Sequence, residues 1–226
     1  MNCKLCEKYI ATQLVPWEII LWQPLKKTQL CRECWQSFTK INYSKACQIC
    51  GKKENYKVCK DCQLWQTTAE YPLVNQSLYC YDALMKKFMQ KYKFEYDLEL
   101  AEVFKSEFTQ FLKITNNALV IPIPQRAQKR KFNQVRNLMK NNKRIKNSIL
   151  FVKKEAIDKL QVNLNRQERL QTRQPFDIDK QELNKVQFER IILIDDIYTT
   201  GRTLRHAANL LAQYTTKPII AKTLAR

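Results

Sequence analysis

The chain has 226 residues and sets 40 Lys and Arg against 21 Asp and Glu, a formal charge of +19. That surplus exceeds what solubility requires and points to a polyanionic partner, nucleic acid or a phosphorylated substrate. No apolar run approaches the roughly 18 residues of a membrane span, and the opening MNCKLCEKYI lacks the charged start and apolar core of a signal peptide. The expectation is a cytoplasmic protein without membrane insertion, long enough for one medium domain and a small appendage.

Eight of the nine cysteines form C-x-x-C pairs: Cys3 with Cys6, Cys31 with Cys34, Cys47 with Cys50, and Cys59 with Cys62. A two-residue spacer lets a tight knuckle offer two thiolates to one ion, and Zn²⁺ takes four such ligands in a tetrahedron. Disulfides are disfavoured in a reducing compartment, so structural zinc, one ion or two, is the expected cofactor. Gly51, one of only two glycines, follows Cys50 where a left-handed residue often closes a knuckle. Sequential pairing puts Cys3, Cys6, Cys31 and Cys34 on one ion and the later four on another. Interleaved pairing is also sterically open; the sequential form is preferred. With every position a thiolate no site is left for water, and such a closed site contributes folding free energy on the order of 10 kcal/mol. Trp17, Trp22, Trp35, Phe38 and Tyr43 are available to pack around the knuckles. Cys80 lies in the apolar string Leu78-Tyr79-Cys80-Tyr81 and reads as core rather than ligand.

The composition shifts near residues 66–72, giving a cysteine-rich zinc-binding region over 1–68 and a second domain over 69–226. In the second, 78–81 reads as a strand and 84–92 as a helix with a basic face (Lys86, Lys87, Lys91). Residues 98–112 make a longer amphipathic helix with Leu100, Val103, Phe104, Phe108, Phe111 and Leu112 on one side. A strand over 118–123 ends in prolines, 135–138 lies in a basic helix, and 149–152 is another strand. A buried strand over 191–194, a helix over 204–211 and a strand over 219–224 complete the chain. Strands alternating with helices argue for an α/β domain with a mostly parallel sheet covered on both faces.

Chemistry concentrates in IILIDDIYTTGRT, residues 191–203. Two carboxylates, Asp195 and Asp196, stand at the tip of a strand. A turn containing Thr199, Thr200 and the second glycine, Gly201, leads through Arg202 and Thr203 into a helix. Amides at a helix start and threonine hydroxyls can hold a phosphate, while carboxylates accept hydrogen bonds from ribose hydroxyls. A chain so poor in glycine places Gly201 where a backbone must approach a ligand. The string resembles the phosphoribosyl-pyrophosphate (PRPP) signature of type I phosphoribosyltransferases, in which hydrophobics precede two acids, two variable residues and Thr-Thr-Gly-x-Thr. That resemblance implies a phosphoribosyltransferase-like domain, a 5-phosphate held by residues 199–203, and Mg²⁺ bound with PRPP.

Three further segments bear on function. No acid occurs between Glu107 and Glu155, and RAQKRKFNQ within that interval resembles the Arg-rich, Phe-Asn-Gln loop of ComF-type proteins through Arg126, Arg130, Phe132, Asn133 and Gln134. That family usually has a glycine where this chain has Lys131, which implies a stiffer loop. Gln161, Leu164, Arg166 and Arg169 resemble the family's Gln-x-x-Leu-x-Arg-x-x-Arg stretch, with Thr172 where Asn is common. KYKFEYD, residues 91–97, is similar to the family's Lys-Phe segment, and Lys93 falls where a pyrophosphate-binding loop would lie; a plain surface lysine is the other reading.

Together with the cysteine pairs, these segments resemble the ComF family of competence proteins, of Gram-positive type, over nearly the whole chain. The resemblance implies a role in DNA uptake and natural transformation, handling single-stranded DNA beside a competence helicase and other DNA-processing proteins. Two readings follow. As an enzyme, the protein would bind PRPP or a nucleotide, with Asp195 and Asp196 as candidate catalytic carboxylates, better suited to holding ribose than to proton transfer. Lys93 or the basic loop would then stabilise the departing pyrophosphate. As a non-catalytic adaptor, it would hold single-stranded DNA through Arg126, Lys129, Arg130, Lys131, Asn133 and Gln134, with Tyr92, Phe94 and Phe132 either stacking bases or serving as core. His206, the only histidine, reads as a packing or surface residue.

Overall fold

The computed structural model describes residues 2–10, 29–54, 56–94, 98–114, 117–124, 134–152 and 174–226. Helices α1 (Arg32–Gln36) and α2 (Lys60–Thr68) belong to the cysteine-rich part. They are followed by β1 (Val74–Tyr79), α3 (Ala83–Phe94), α4 (Ala101–Leu112), β2 (Ala118–Pro122), the single turn α5 (Gln134–Asn137) and β3 (Leu150–Val152). Next come β4 (Phe176–Ile178), α6 (Lys180–Asn184), β5 (Arg190–Ile197), α7 (Arg202–Ala212) and β6 (Ile219–Ala225).

The main sheet has the order β1-β6-β5-β2, and every pairing in it is parallel. All four C-terminal ends therefore meet at one edge, which is where ligands bind in open parallel sheets. Its central strands are largely apolar because both faces are covered, and the pleat sends successive side chains to opposite sides. Ala118, Val120, Ile192 and Ile194 join one core with Met85, Phe88 and Tyr92 of α3 and Phe104, Phe108 and Leu112 of α4. Leu119, Ile121, Ile191 and Leu193 join the other with Leu204, Ala207 and Leu211 of α7.

The strand expected over 149–152 does form, but it pairs antiparallel with β4 outside the main sheet. Its residue Leu150, with Phe176 and Ile178 of β4, packs on the α7 face. The expected strand over 78–81 begins earlier, at Val74, and ends at Tyr79. Its inward-facing polar residues, Asn75 and Ser77, are core residues: Asn75 Nδ2 donates to Ser77 Oγ (2.8 Å), and Ser77 Oγ lies 2.6 Å from Thr223 Oγ1 of β6.

The cysteine-rich part wraps the β1 edge. Ile41 and Asn75 amides donate to the Leu78 and Ile49 carbonyls, and Lys40 bridges Tyr79. An open strand edge, otherwise a site for unwanted pairing, is thereby closed. Phe38 packs into the α3–α4 core, its ring 4.9 Å from that of Phe104 and 5.9 Å from that of Phe88. Trp35 stacks on Phe104 as well, at 5.5 Å; both aromatics join the two regions rather than only surrounding the knuckles. Trp17 and Trp22 lie outside the described residues.

Candidate functional site

The cysteine pairs assemble sequentially into two groups, Cys3, Cys6, Cys31 and Cys34, and Cys47, Cys50, Cys59 and Cys62. Within each, the sulfurs lie within 4.8 Å of one another. Cys6 and Cys31 Sγ are 3.6 Å apart, and Cys50 and Cys59 Sγ 3.7 Å. A tetrahedron with metal–sulfur bonds of about 2.3 Å has edges of about 3.8 Å, so either group could hold a metal ion.

Both groups share one design. The first pair of each is a knuckle closed by a left-handed residue, Glu7 (φ 65°) or Gly51 (φ 77°). The second pair is the start of a helix, with Cys31 and Cys59 as the N-cap residues of α1 and α2. Helix-start amides and their partial positive charge favour thiolates there. The amides of Cys31 and Cys59 donate to Cys3 Sγ (3.3 Å) and Cys47 Sγ (3.4 Å). Burial opposes ionisation of Cys3, yet the backbone donors of Cys31, Cys6 and Leu5 outweigh it and bring its pKa down to about 6. The Cys50 thiol falls to about 4, first through a hydrogen bond from Cys62 and further through the Arg226 guanidinium. The second group is fully buried, whereas Cys6 of the first is exposed. Cys80 is half-buried and stands outside both groups.

At the C-terminal edge of the sheet, β5 ends in the two acids. Asp195 Oδ1 accepts from the Asp196 amide (2.9 Å), and the buried Asp196 carboxylate is paired with Lys93 Nζ of α3 at 2.6 Å. Lys93 is thus a partner of the acid pair rather than a solvated lysine, with its side chain only 18% exposed.

The turn from Tyr198 to Gly201 is held from one side. Arg226, directly after β6, donates through Nη1 to the carbonyls of Thr199 (2.7 Å) and Tyr198 (3.3 Å). Trp65 of α2 donates through Nε1 to the Thr200 carbonyl (3.0 Å). A trans peptide sets its C=O and the next N–H on opposite sides. Three successive carbonyls turned toward α2 and Arg226 therefore leave the amides of Thr199, Thr200 and Gly201 turned away from them. Gly201 has φ 76° and begins α7 with no side-chain cap, and the first turn of that helix carries no acid. Its Cβ position is 2.0 Å from the hydroxyl of Tyr198, so what approaches this glycine is the buried Tyr198 ring under the turn. Thr200 Oγ1 accepts from the Arg202 amide (3.4 Å), and Thr199 is exposed. Uncapped amides of this kind suit an oxyanion, and the adjacent acids suit hydroxyl donors.

Residues 127–226 match a family model described as Phosphoribosyl transferase domain. Competence protein ComFC of Streptococcus pneumoniae (strain ATCC BAA-255 / R6) is 33% identical over 229 residues, 100% of both chains. Competence protein ComFC of Bacillus subtilis (strain 168) is 31% identical over 221 residues, 93% of this chain and 88% of that protein. The chain belongs to the ComFC family of competence proteins. It combines that family's phosphoribosyltransferase-like α/β domain with two Cys₄ groups able to take metal.

Set on this ComFC frame, the other expected site residues divide sharply. Arg126, Lys129, Arg130, Lys131, Phe132 and Asn133 lie outside the described residues, as do Gln161, Leu164, Arg166, Arg169 and Thr172. Gln134, expected to contact DNA, is fully buried; its Nε2 donates to the Lys93 carbonyl (3.2 Å) and its own carbonyl accepts from Tyr92 Oη (2.6 Å). It fastens α5 to α3. Tyr92 is likewise core, not a stacking platform. Among the described residues no helix is long and apolar enough to cross a membrane. Sequence reasoning missed the roles of Trp65 and Arg226, which carry no local motif, and of Tyr198, a variable position of the 191–203 string, since each acts through tertiary contact.

Proposed function

We propose that the loop after β5 binds the ribose 5-phosphate part of PRPP together with Mg²⁺, in the service of DNA handling during natural transformation in the cytoplasm. The observation that carries this reading is the one-sided anchoring of the 198–200 carbonyls, which turns the three following amides away from Trp65 and Arg226 on the loop that follows Asp195 and Asp196. The 5-phosphate takes the amides of Thr199, Thr200 and Gly201 with the Thr199, Thr200 and Thr203 hydroxyls, and Arg202 adds positive charge. Asp195 and Asp196 accept the ribose hydroxyls, and their oxygens suit Mg²⁺. Lys93, paired with Asp196 in the absence of ligand, turns to the pyrophosphate once ribose hydroxyls occupy that carboxylate. The transfer such a site supports breaks the C1–oxygen bond to pyrophosphate, which departs, and forms a bond from C1 to an acceptor nucleophile. Zinc in both Cys₄ groups is structural and makes the described cysteine-rich part a brace for the α/β domain.

PRPP with Mg²⁺ should raise the melting temperature, and Asp195→Asn with Asp196→Asn should remove the rise. An unshifted wild type discards the assignment. Pyrophosphate release with DNA as acceptor then distinguishes turnover from binding.

A second reading, an adaptor for single-stranded DNA working with the competence helicase, is favoured by a basic cleft of about 320 Å³ lined by Lys143, Arg144, Lys146, Lys185, Val186 and Gln187. Arg144 is fixed there by donating to the Ala118 (2.8 Å) and Gln187 (2.7 Å) carbonyls, at the sheet edge opposite the acids. Phosphate contacts release counterions, so affinity for single strands should fall steeply with salt. Salt-indifferent binding, or none, sets this reading aside.

A further inference from the structure

Two residues that no sequence motif marks bind the phosphate loop to the second Cys₄ group. Arg226 is the hub. Its Nε donates to Cys50 Sγ (3.4 Å), Nη2 lies 3.8 Å from Asp61 Oδ2 of α2, and Nη1 holds the Thr199 and Tyr198 carbonyls. Its guanidinium also covers the Tyr198 ring at 5.1 Å, the ring on which Gly201 rests. Trp65 lies on the helix that begins with Cys59 and Cys62, fixes the Thr200 carbonyl and stacks on Arg205 of α7 (5.0 Å). The 198–200 carbonyls accept their hydrogen bonds from Trp65 and Arg226.

We propose that Trp65 and Arg226 are positioning residues that aim the amides of Thr199, Thr200 and Gly201, with the second Cys₄ group as their backstop. Among the described residues the first group has no such link: Cys3 and Leu5 pack on the α3–α4 core, on the other face of the sheet. The two groups consequently differ in role. The second sets the geometry of the ligand loop, and the first braces the opposite side. A thiolate cluster draws Arg226 in by charge, and the guanidinium's planar fork lets one side chain hold sulfur and carbonyl partners at once. A wandering loop would bind the phosphate only in the fraction of time its amides point together.

The proposal rests on the ribose-phosphate reading for its ligand, but not for its first readout. Amide order parameters at Thr199, Thr200 and Gly201 are measured by NMR on the zinc-loaded, ligand-free protein, and PRPP affinity by calorimetry. Trp65→Phe keeps an aromatic ring on α2 but deletes the Nε1 donor with the rest of the five-membered ring; Arg226→Lys keeps charge but loses the fork; Leu64→Ala, on the exposed side of the same helix, is the control. The expected result is order falling from about 0.85 toward 0.6 in Trp65→Phe and Arg226→Lys. PRPP affinity should drop about fivefold for the single lost hydrogen bond and more for Arg226→Lys, with the control unchanged. Unchanged order in both variants overturns the proposal, as does unchanged affinity where order has fallen. A wild type that binds no PRPP while the variants lose order refutes the ligand reading and upholds the bracing of the loop.

Discussion

Gly201→Ala tests how the turn is built. The position has φ 76°, a left-handed conformation that costs an L-residue about 1–2 kcal/mol. The new Cβ would also lie 2.0 Å from Tyr198 Oη and 2.2 Å from its Cζ, far inside ordinary contact. The ring cannot step aside freely, because it is only 3% exposed and has Arg226 stacked on it. Overpacking of that kind adds about 1–3 kcal/mol, for a total of roughly 2–5 kcal/mol. In a chain of this length that lowers the melting temperature by roughly 5–15 °C. Zinc must be held constant across the comparison, since any ligand of the native state shifts the midpoint. In a Tyr198→Ala background the clash is gone, so the same substitution should cost only the backbone share, about 1–2 kcal/mol. Equal losses in both backgrounds, or a wild-type loss below about 2 °C, would refute a turn seated on Tyr198.

Lys93→Met leaves the buried Asp196 carboxylate without its ammonium partner and should cost on the order of 2–4 kcal/mol in urea unfolding, part of it recovered by adding Asp196→Asn; additive losses would show that the pair is not coupled. Lys222 is buried, donates to the Phe111 (2.7 Å) and Leu112 (3.1 Å) carbonyls, and has its pKa lowered to about 8 by desolvation, then by Lys113 and Arg190. The unfolded chain holds that proton to higher pH, so stability should rise between pH 8 and about 10 relative to Lys222→Met, by at most about 1.4 kcal/mol per unit; parallel pH profiles would contradict this. Metal analysis of reduced protein should find about two zinc ions per chain, one for each Cys₄ group. A content well below one ion per chain in freshly purified protein disposes of both sites.

The parts legible in sequence were those whose cause is local. Residues 191–203 showed strand, acids, turn and helix because an apolar run, a positive-φ glycine and a 3.6-residue period each leave a mark within a few positions. The C-x-x-C spacing exposed the cysteines able to take metal but not their geometry: all four pairs read as knuckles, whereas Cys31 and Cys59 begin helices. Strand β1 was misplaced because VNQSLY hides its burial behind polar residues, Asn75 and Ser77, that are satisfied by each other, by Thr223 of β6 and by Tyr43. β4 and α6 were invisible, being three and five residues long. The contacts that set the ligand loop span 135 residues for Trp65 and Thr200 and 176 for Arg226 and Cys50. No window of periodicity reaches that far. Gln134 illustrates the reverse error, a polar residue in a basic run that is nonetheless wholly interior.

The most direct measurement is a crystal structure of the protein soaked with PRPP and Mg²⁺. The account predicts the 5-phosphate against the amides of Thr199, Thr200 and Gly201, on the side away from Trp65 and Arg226, with ribose hydroxyls on Asp195 and Asp196. Ligand density confined to the basic cleft near Arg144, or a phosphate on the Trp65 side of the turn, would contradict it.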